Sequence, residues 1–157
     1  MSAYAHVKLT GLGSGTQLNG RRVTTRLTKS RLRSARLDFS VPSSGAGFEE
    51  VSAYYHVNEA IAYLERLGYR GPRRLFTRPL EIDARGTRDD NSWYSPGERT
   101  LTFGTGDVDD AEDGETVLHE GRLHLRIDPR ADGAPWLADV ASLARALAEA
   151  GQRLAAY

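Results

Sequence analysis

Across residues 48–67 the apolar positions recur at helical spacing. Val51, Tyr54, Tyr55, Ile61, Leu64 and Leu67 form one broad apolar surface, which predicts an amphipathic helix. Glu49 and Glu50 suit its positive N-terminal end, and Gly68 offers a stop just beyond its last turn. Elsewhere the pattern shortens. Segments 4–10 and 20–27 mix β-branched and polar residues on either side of the turn-rich stretch 11–20, which predicts a hairpin. Residues 35–41 read as a third strand, and Pro42-Ser43-Ser44-Gly45-Ala46-Gly47 as a loop. Short strands are expected at 74–76 and 80–83. Two more, around Ser92-Trp93-Tyr94 and Thr100-Leu101-Thr102-Phe103, should be joined at Pro96-Gly97. Gly104 and Gly106 then open a loop toward an acidic helix, for which Asp109 is the expected N-cap with Glu112 at capping-box spacing. Leu123-His124-Leu125-Arg126-Ile127 alternates like a strand. A last amphipathic helix begins near Pro135, with Trp136, Val140, Leu143 and Leu147 on one face. The expected class is α+β: a twisted, mostly antiparallel sheet packed on a long helix, with a truncated second helix and a C-terminal helix.

Composition narrows the function classes. The 157 residues suffice for one domain with a real core. With 21 basic and 21 acidic side chains the formal net charge is zero, so no global field favours nucleic acid or an anionic membrane. The basic run around Arg22, Arg26, Lys29, Arg31 and Arg33 has no interleaved aromatics. It reads as a solvated hairpin face rather than a nucleic-acid patch. There is no cysteine, which excludes disulfides, thiolate metal sites and a cysteine nucleophile. No segment approaches the roughly 20 apolar residues of a membrane helix. The N-terminus lacks the order of a signal peptide, so a soluble chain is expected and its compartment is open.

The candidate chemistry lies in Thr116-Val117-Leu118-His119-Glu120. His119-Glu120 is the first half of an H-E-x-x-H motif. Histidines at i and i+4 stand about 40° apart on a helix and can share one zinc. The glutamate beside the first then faces the metal-bound water as general base. Here position 123 is Leu123, and the next histidine, His124, comes one residue late. At i+5 the separation is about 140°. Gly121 and the alternation that follows also favour a strand, making His124 a solvated residue and the weaker metal candidate. His119 is thus the better metal candidate and Glu120 the catalytic one. His56 and Glu59, at i,i+3, read as a surface pair or a core-edge hydrogen bond rather than metal ligands. The acidic run 107–115 reads first as complement to the helix dipole and second as a calcium site.

In order and content these elements resemble the N-terminal half of a gluzincin zinc peptidase domain of the thermolysin and fungalysin kind. Ala53-Tyr54-Tyr55-His56-Val57 looks like the helix behind that family's active-site sheet. Asn91-Ser92-Trp93-Tyr94 looks like its substrate-binding edge strand, Thr102-Phe103-Gly104-Thr105-Gly106 like the strand and turn that follow, and Val117-Leu118-His119-Glu120 like the start of the zinc helix. The resemblance implies that Asn91, Ser92 and Trp93 bind an extended peptide substrate, that His119 ligates zinc and that Glu120 is the general base. It also implies that Glu115 serves calcium. It covers residues 1–120, the peptidase-like part. Residues 121–157, rich in Ala and Arg and without Lys, diverge as a tail within the same globular unit, and a frame change in GC-rich coding sequence or an authentic divergent tail both fit.

Two functional readings follow. The first is a zinc metallopeptidase-like domain, a peptide-bond hydrolase by descent, incomplete or inactive because catalytic zinc requires three protein ligands. The second is a non-catalytic module that keeps the edge strand to bind extended peptides or to form a homodimer. Neither implies nucleic acid or membrane as a partner. The resemblance implies that intact relatives act outside the cytoplasm.

Overall fold

The computed structural model describes residues 6–106, 109–114 and 116–118. In chain order it contains β1 (Val23–Thr24), α1 (Phe48–Arg66), a 3-10 turn (Gly71–Arg73), β2 (Leu80–Thr87), β3 (Trp93–Ser95) and β4 (Thr100–Gly104). The four strands form one mixed sheet in the order β1-β2-β4-β3, giving a broadly α+β architecture. The strand at 123–127 and the helix from Pro135 lie outside the described residues.

α1 spans Phe48–Arg66 where the sequence pattern gave 48–67. It starts after Gly47, whose left-handed φ of 96° turns the chain into the helix and whose missing side chain leaves room for Leu32. It ends in two reciprocal bonds: Tyr69 N donates to Leu64 O (3.1 Å) and Gly68 N to Glu65 O (3.1 Å). With Gly68 at φ 103°, this is a Schellman stop. Ala53, Tyr54, Val57 and Leu64 are buried, and α1 packs on β1 and β2. From the sheet, β2 alternates in the expected way, burying Leu80, Ile82 and Ala84 while Glu81 and Asp83 stay half-buried. Leu101 and Phe103 of β4 complete the core, with Ala111 and Val117 added from the acidic segment.

The expected, mostly antiparallel sheet is corrected by the pairings. β1 runs parallel to β2 (Val23↔Leu80), and β2 runs parallel to β4 (Ile82↔Leu101). Only β3 and β4 are antiparallel (Tyr94↔Leu101). The cause is connection length. The four residues 96–99 between β3 and β4 allow a hairpin, whereas α1 supplies the long crossover that returns β2 beside β1 in the same direction.

Three further expectations change. Residues 6–10 are irregular, and the predicted first hairpin is reduced to isolated bridges Leu12↔Gly20 and Asn19↔Thr24. Residues 35–41 form turns and coil, held by Ser34 and Asp38 side chains accepting from the Asp38 and Ser40 amides. Residues 74–76 are also irregular, while β2 extends beyond 83 to Thr87.

Candidate functional site

β3 is the last strand in the sheet order and pairs with β4. Trp93 is 38% exposed and Asn91 is exposed. Ser92 is directed inward. Its hydroxyl donates to Asp110 Oδ2 (2.5 Å) and accepts from Gly104 N (3.2 Å), fastening the start of β3 to β4 and to the acidic segment. The backbone at 89–91 crosses so closely over β4 that a Cβ at Gly104 would sit 2.7 Å from Asn91 O. Asp110 N donates to Gly104 O (3.1 Å). Of the three residues assigned to peptide binding, Asn91 and Trp93 therefore face solvent, and Ser92 positions them.

The acidic segment turns before it becomes helical. Asp109 Oδ1 accepts from Ala111 N (3.3 Å), and Glu112 N donates to the Asp109 carbonyl (2.9 Å). The helical residues are 114 and 116–118. Val117 N donates to Asp113 O (3.0 Å) and Thr116 Oγ1 to Asp113 Oδ2 (2.8 Å). The cap expected at Asp109 thus stands at Asp113.

Asp109 and Glu112 instead meet Glu49 from the first turn of α1. The three carboxylates each place an oxygen within 4.8 Å of the others. Burial, then the charge of Glu49, pushes the Asp109 carboxyl up to about 6, and the same two causes raise Glu112. Glu49 also pairs with Arg85 Nε and accepts from Gly47 N (3.1 Å). Three hard oxygen donors could hold a divalent cation and are of the kind calcium takes, whereas zinc sites more often include histidine or cysteine. Sequence reasoning missed this group. It took Glu49 as a complement to the α1 dipole, and only the fold brings it to Asp109.

His56 and Glu59, adjacent on α1, do not pair. His56 stacks edge-on against Tyr55 with ring centroids 5.1 Å apart, and its Nδ1 is buried without a hydrogen-bond partner. Burial lowers its pKa, opposed by Asp113. Its Nε2 would lie 2.6 Å from a Cβ at Gly114, so the glycine lets the acidic segment close against α1. Glu59 accepts from Thr10 Oγ1 (3.0 Å).

The predicted metal ligands His119 and His124, the base Glu120 and the calcium candidate Glu115 lie outside the described residues. The basic run does structural work. Arg31 bonds to Gln17, Leu18 O and Asn19, Arg22 to Glu65, and Arg26 to Glu81. No family model, no curated protein and no solved structure matches the chain.

Proposed function

We propose that this chain is a thermolysin-like zinc-peptidase scaffold with an incomplete zinc site, and that its working function is to bind an extended peptide along β3. The observation that carries this reading is a short antiparallel strand at the sheet edge with Trp93 and Asn91 exposed beside it. Such an edge offers backbone donors and acceptors to a peptide, while exposed side chains grip alternate residues. The zinc motif is incomplete in sequence, since the position that should supply the second histidine holds Leu123. Glu49, Asp109 and Glu112 form a separate group of oxygen donors of the calcium type. Calcium at those carboxylates belongs to the same proposal, and the resemblance names Glu115 for the same ion. Its role is to tie α1 to the acidic segment.

Fluorescence titration tests the peptide reading. In a Trp136→Phe background Trp93 is the one remaining tryptophan. A blocked hexapeptide of alternating valine and threonine is expected to shift its emission saturably. A backbone N-methylated version, unable to pair as a strand, is expected to fail. Equal responses to both peptides would sink strand addition. Elemental analysis of chelator-free protein is expected to find zinc well below one per chain. Stoichiometric zinc that disappears in His119→Ala would restore the catalytic reading, with Glu120→Gln as the control for hydrolysis.

A further inference from the structure

At the end of the sheet where β1 and β2 begin, a cleft of about 530 Å³ opens between the C-terminal end of α1, the 3-10 turn and the residues leading into β1 and β2. Its lining is unusually basic. Arg21, Arg22, Arg66, Arg70, Arg74 and Arg78 contribute six guanidinium groups, and Glu65 is the only acidic side chain among the described residues that line it. That glutamate is committed. It takes two bonds from Arg21 (2.8 and 2.9 Å) and one from Arg22 (2.9 Å), and the Arg21 contact holds its carboxyl below the usual range. Arg66 lies over the Tyr63 ring, 5.6 Å from its centroid. Arg70, Arg74 and Arg78 are exposed and make no ion pair among the described residues.

Two ordinary explanations fall short. A helix C-terminus favours cations in its last turn, which accounts for Arg66. It does not reach Arg74 and Arg78, which follow the 3-10 turn and precede β2. A solvated, flexible basic loop is the other explanation, but this loop is held in place. Pro72 sits in the first turn of the 3-10 segment, Pro79 precedes β2, and Arg99 Nη1 donates to Thr77 Oγ1 (3.1 Å). The loop therefore presents its guanidinium groups from a backbone already set, around a floor that includes buried Leu64 and half-buried Phe76 and Tyr69.

We propose that this cleft binds a compact, highly charged anion of the oligophosphate class. Planar guanidinium groups match phosphate oxygens two at a time. The concavity is of the size that small ligands occupy, and like charges gathered in a cleft focus their field on its mouth. None of the cleft-lining residues belongs to β3, and the β3–β4 turn meets the cleft only through the Arg99 bond to Thr77 among the described residues.

Calorimetric titration of the full chain with inorganic tripolyphosphate is the test. Saturable one-to-one binding is expected, weakening as salt rises to about 0.2 M. Arg74→Glu combined with Arg78→Glu is expected to lower affinity about tenfold or more. Arg33→Glu combined with Arg36→Glu, exposed on another segment, should leave it within about twofold. Backbone amide resonances of residues 69–79 in the wild-type chain should shift on titration, a readout independent of any variant. No binding, or an equal loss in both double variants, would overturn the site. Citrate binding as tightly as tripolyphosphate would overturn the oligophosphate assignment.

Discussion

Around α1, β1 and β2, buried charge is matched by partners. Glu50 is fully buried, yet it accepts from Thr25 Oγ1 (2.5 Å) and Leu32 N (2.8 Å), with Arg31 Nε 3.6 Å away. Glu65 holds Arg21 and Arg22, and Glu81 holds Arg26 at 2.6 Å. At the far end of β4 the balance differs. Glu49, Asp109 and Glu112 converge with Arg85 as the cation on Glu49, and burial raises Asp109 and Glu112 rather than stabilising their charge. On β3, Trp93 is among the exposed large hydrophobic side chains. In the first region polar groups fix loops to a helix, whereas in the second only Glu49 has a cationic partner among the described residues, and Asp109 and Glu112 crowd against it. Groups not already satisfied are the ones that can gain by binding. Arg70, Arg74 and Arg78 at the border of the first region, without an ion pair among the described residues, meet the same condition.

The sharpest way to break this contrast is Glu50→Ala. Removing the buried carboxylate takes the Leu32 amide's acceptor and leaves the Arg31 charge, still bonded to neutral Gln17, Leu18 O and Asn19, without its anion. It is expected to cost about 3–5 kcal/mol in urea unfolding. A cost near that of a surface substitution would mean that this half is not held by its charges. Gly104→Ala comes next. A Cβ there meets the Asn91 backbone, so about 1–3 kcal/mol is expected, together with loss of peptide binding at β3. Stability lost with peptide binding intact would separate the crossing at 89–91 from the edge.

Gly68→Ala is smaller. Nothing lies within 4 Å of its Cβ position and only the φ of 103° resists, giving about 1–2 kcal/mol. Asp109→Asn is the smallest and has the opposite sign. The folded chain raises the Asp109 carboxyl to about 6 from 3.8. Its contribution to stability is therefore fully present below pH 3.8 and is lost as pH rises through about 6. At pH 8 the asparagine variant should be more stable by about 1 kcal/mol, since solvent screens this half-exposed group. At pH 3 the two should coincide. Calcium in millimolar excess should stabilise the wild-type chain at pH 8 and not the variant. Stabilisation of both would place the ion elsewhere.

Local signals were legible in the sequence, and distant ones were not. The periodicity of Val51, Tyr54, Ile61 and Leu64 with Gly68 behind it marks α1, because helix and stop are both set within a few residues. Pro96-Gly97 marks the β3–β4 turn for the same reason. The parallel partnership of Val23 with Leu80 has no local signature, since its direction is decided by the helix between them. Nor does the pattern distinguish Glu49 from Glu50. Both fit a helix start, yet one faces Asp109 and Glu112 while the other is buried against Thr25 and Arg31. In the acidic run, both Asp109 and Asp113 are plausible caps by type, and the Thr116 hydroxyl together with the Val117 amide selects Asp113. Ser92 shows the same limit. Resemblance makes it a substrate contact, while the fold turns its hydroxyl to Asp110 and Gly104.

Hydrogen exchange read by mass spectrometry on the full chain, with and without the blocked valine–threonine hexapeptide, tests the central claim most directly. Strand addition at β3 predicts slower exchange across 91–95 and no change across 48–66. Exchange that stays the same at 91–95 under saturating peptide, or that slows only elsewhere, would contradict it.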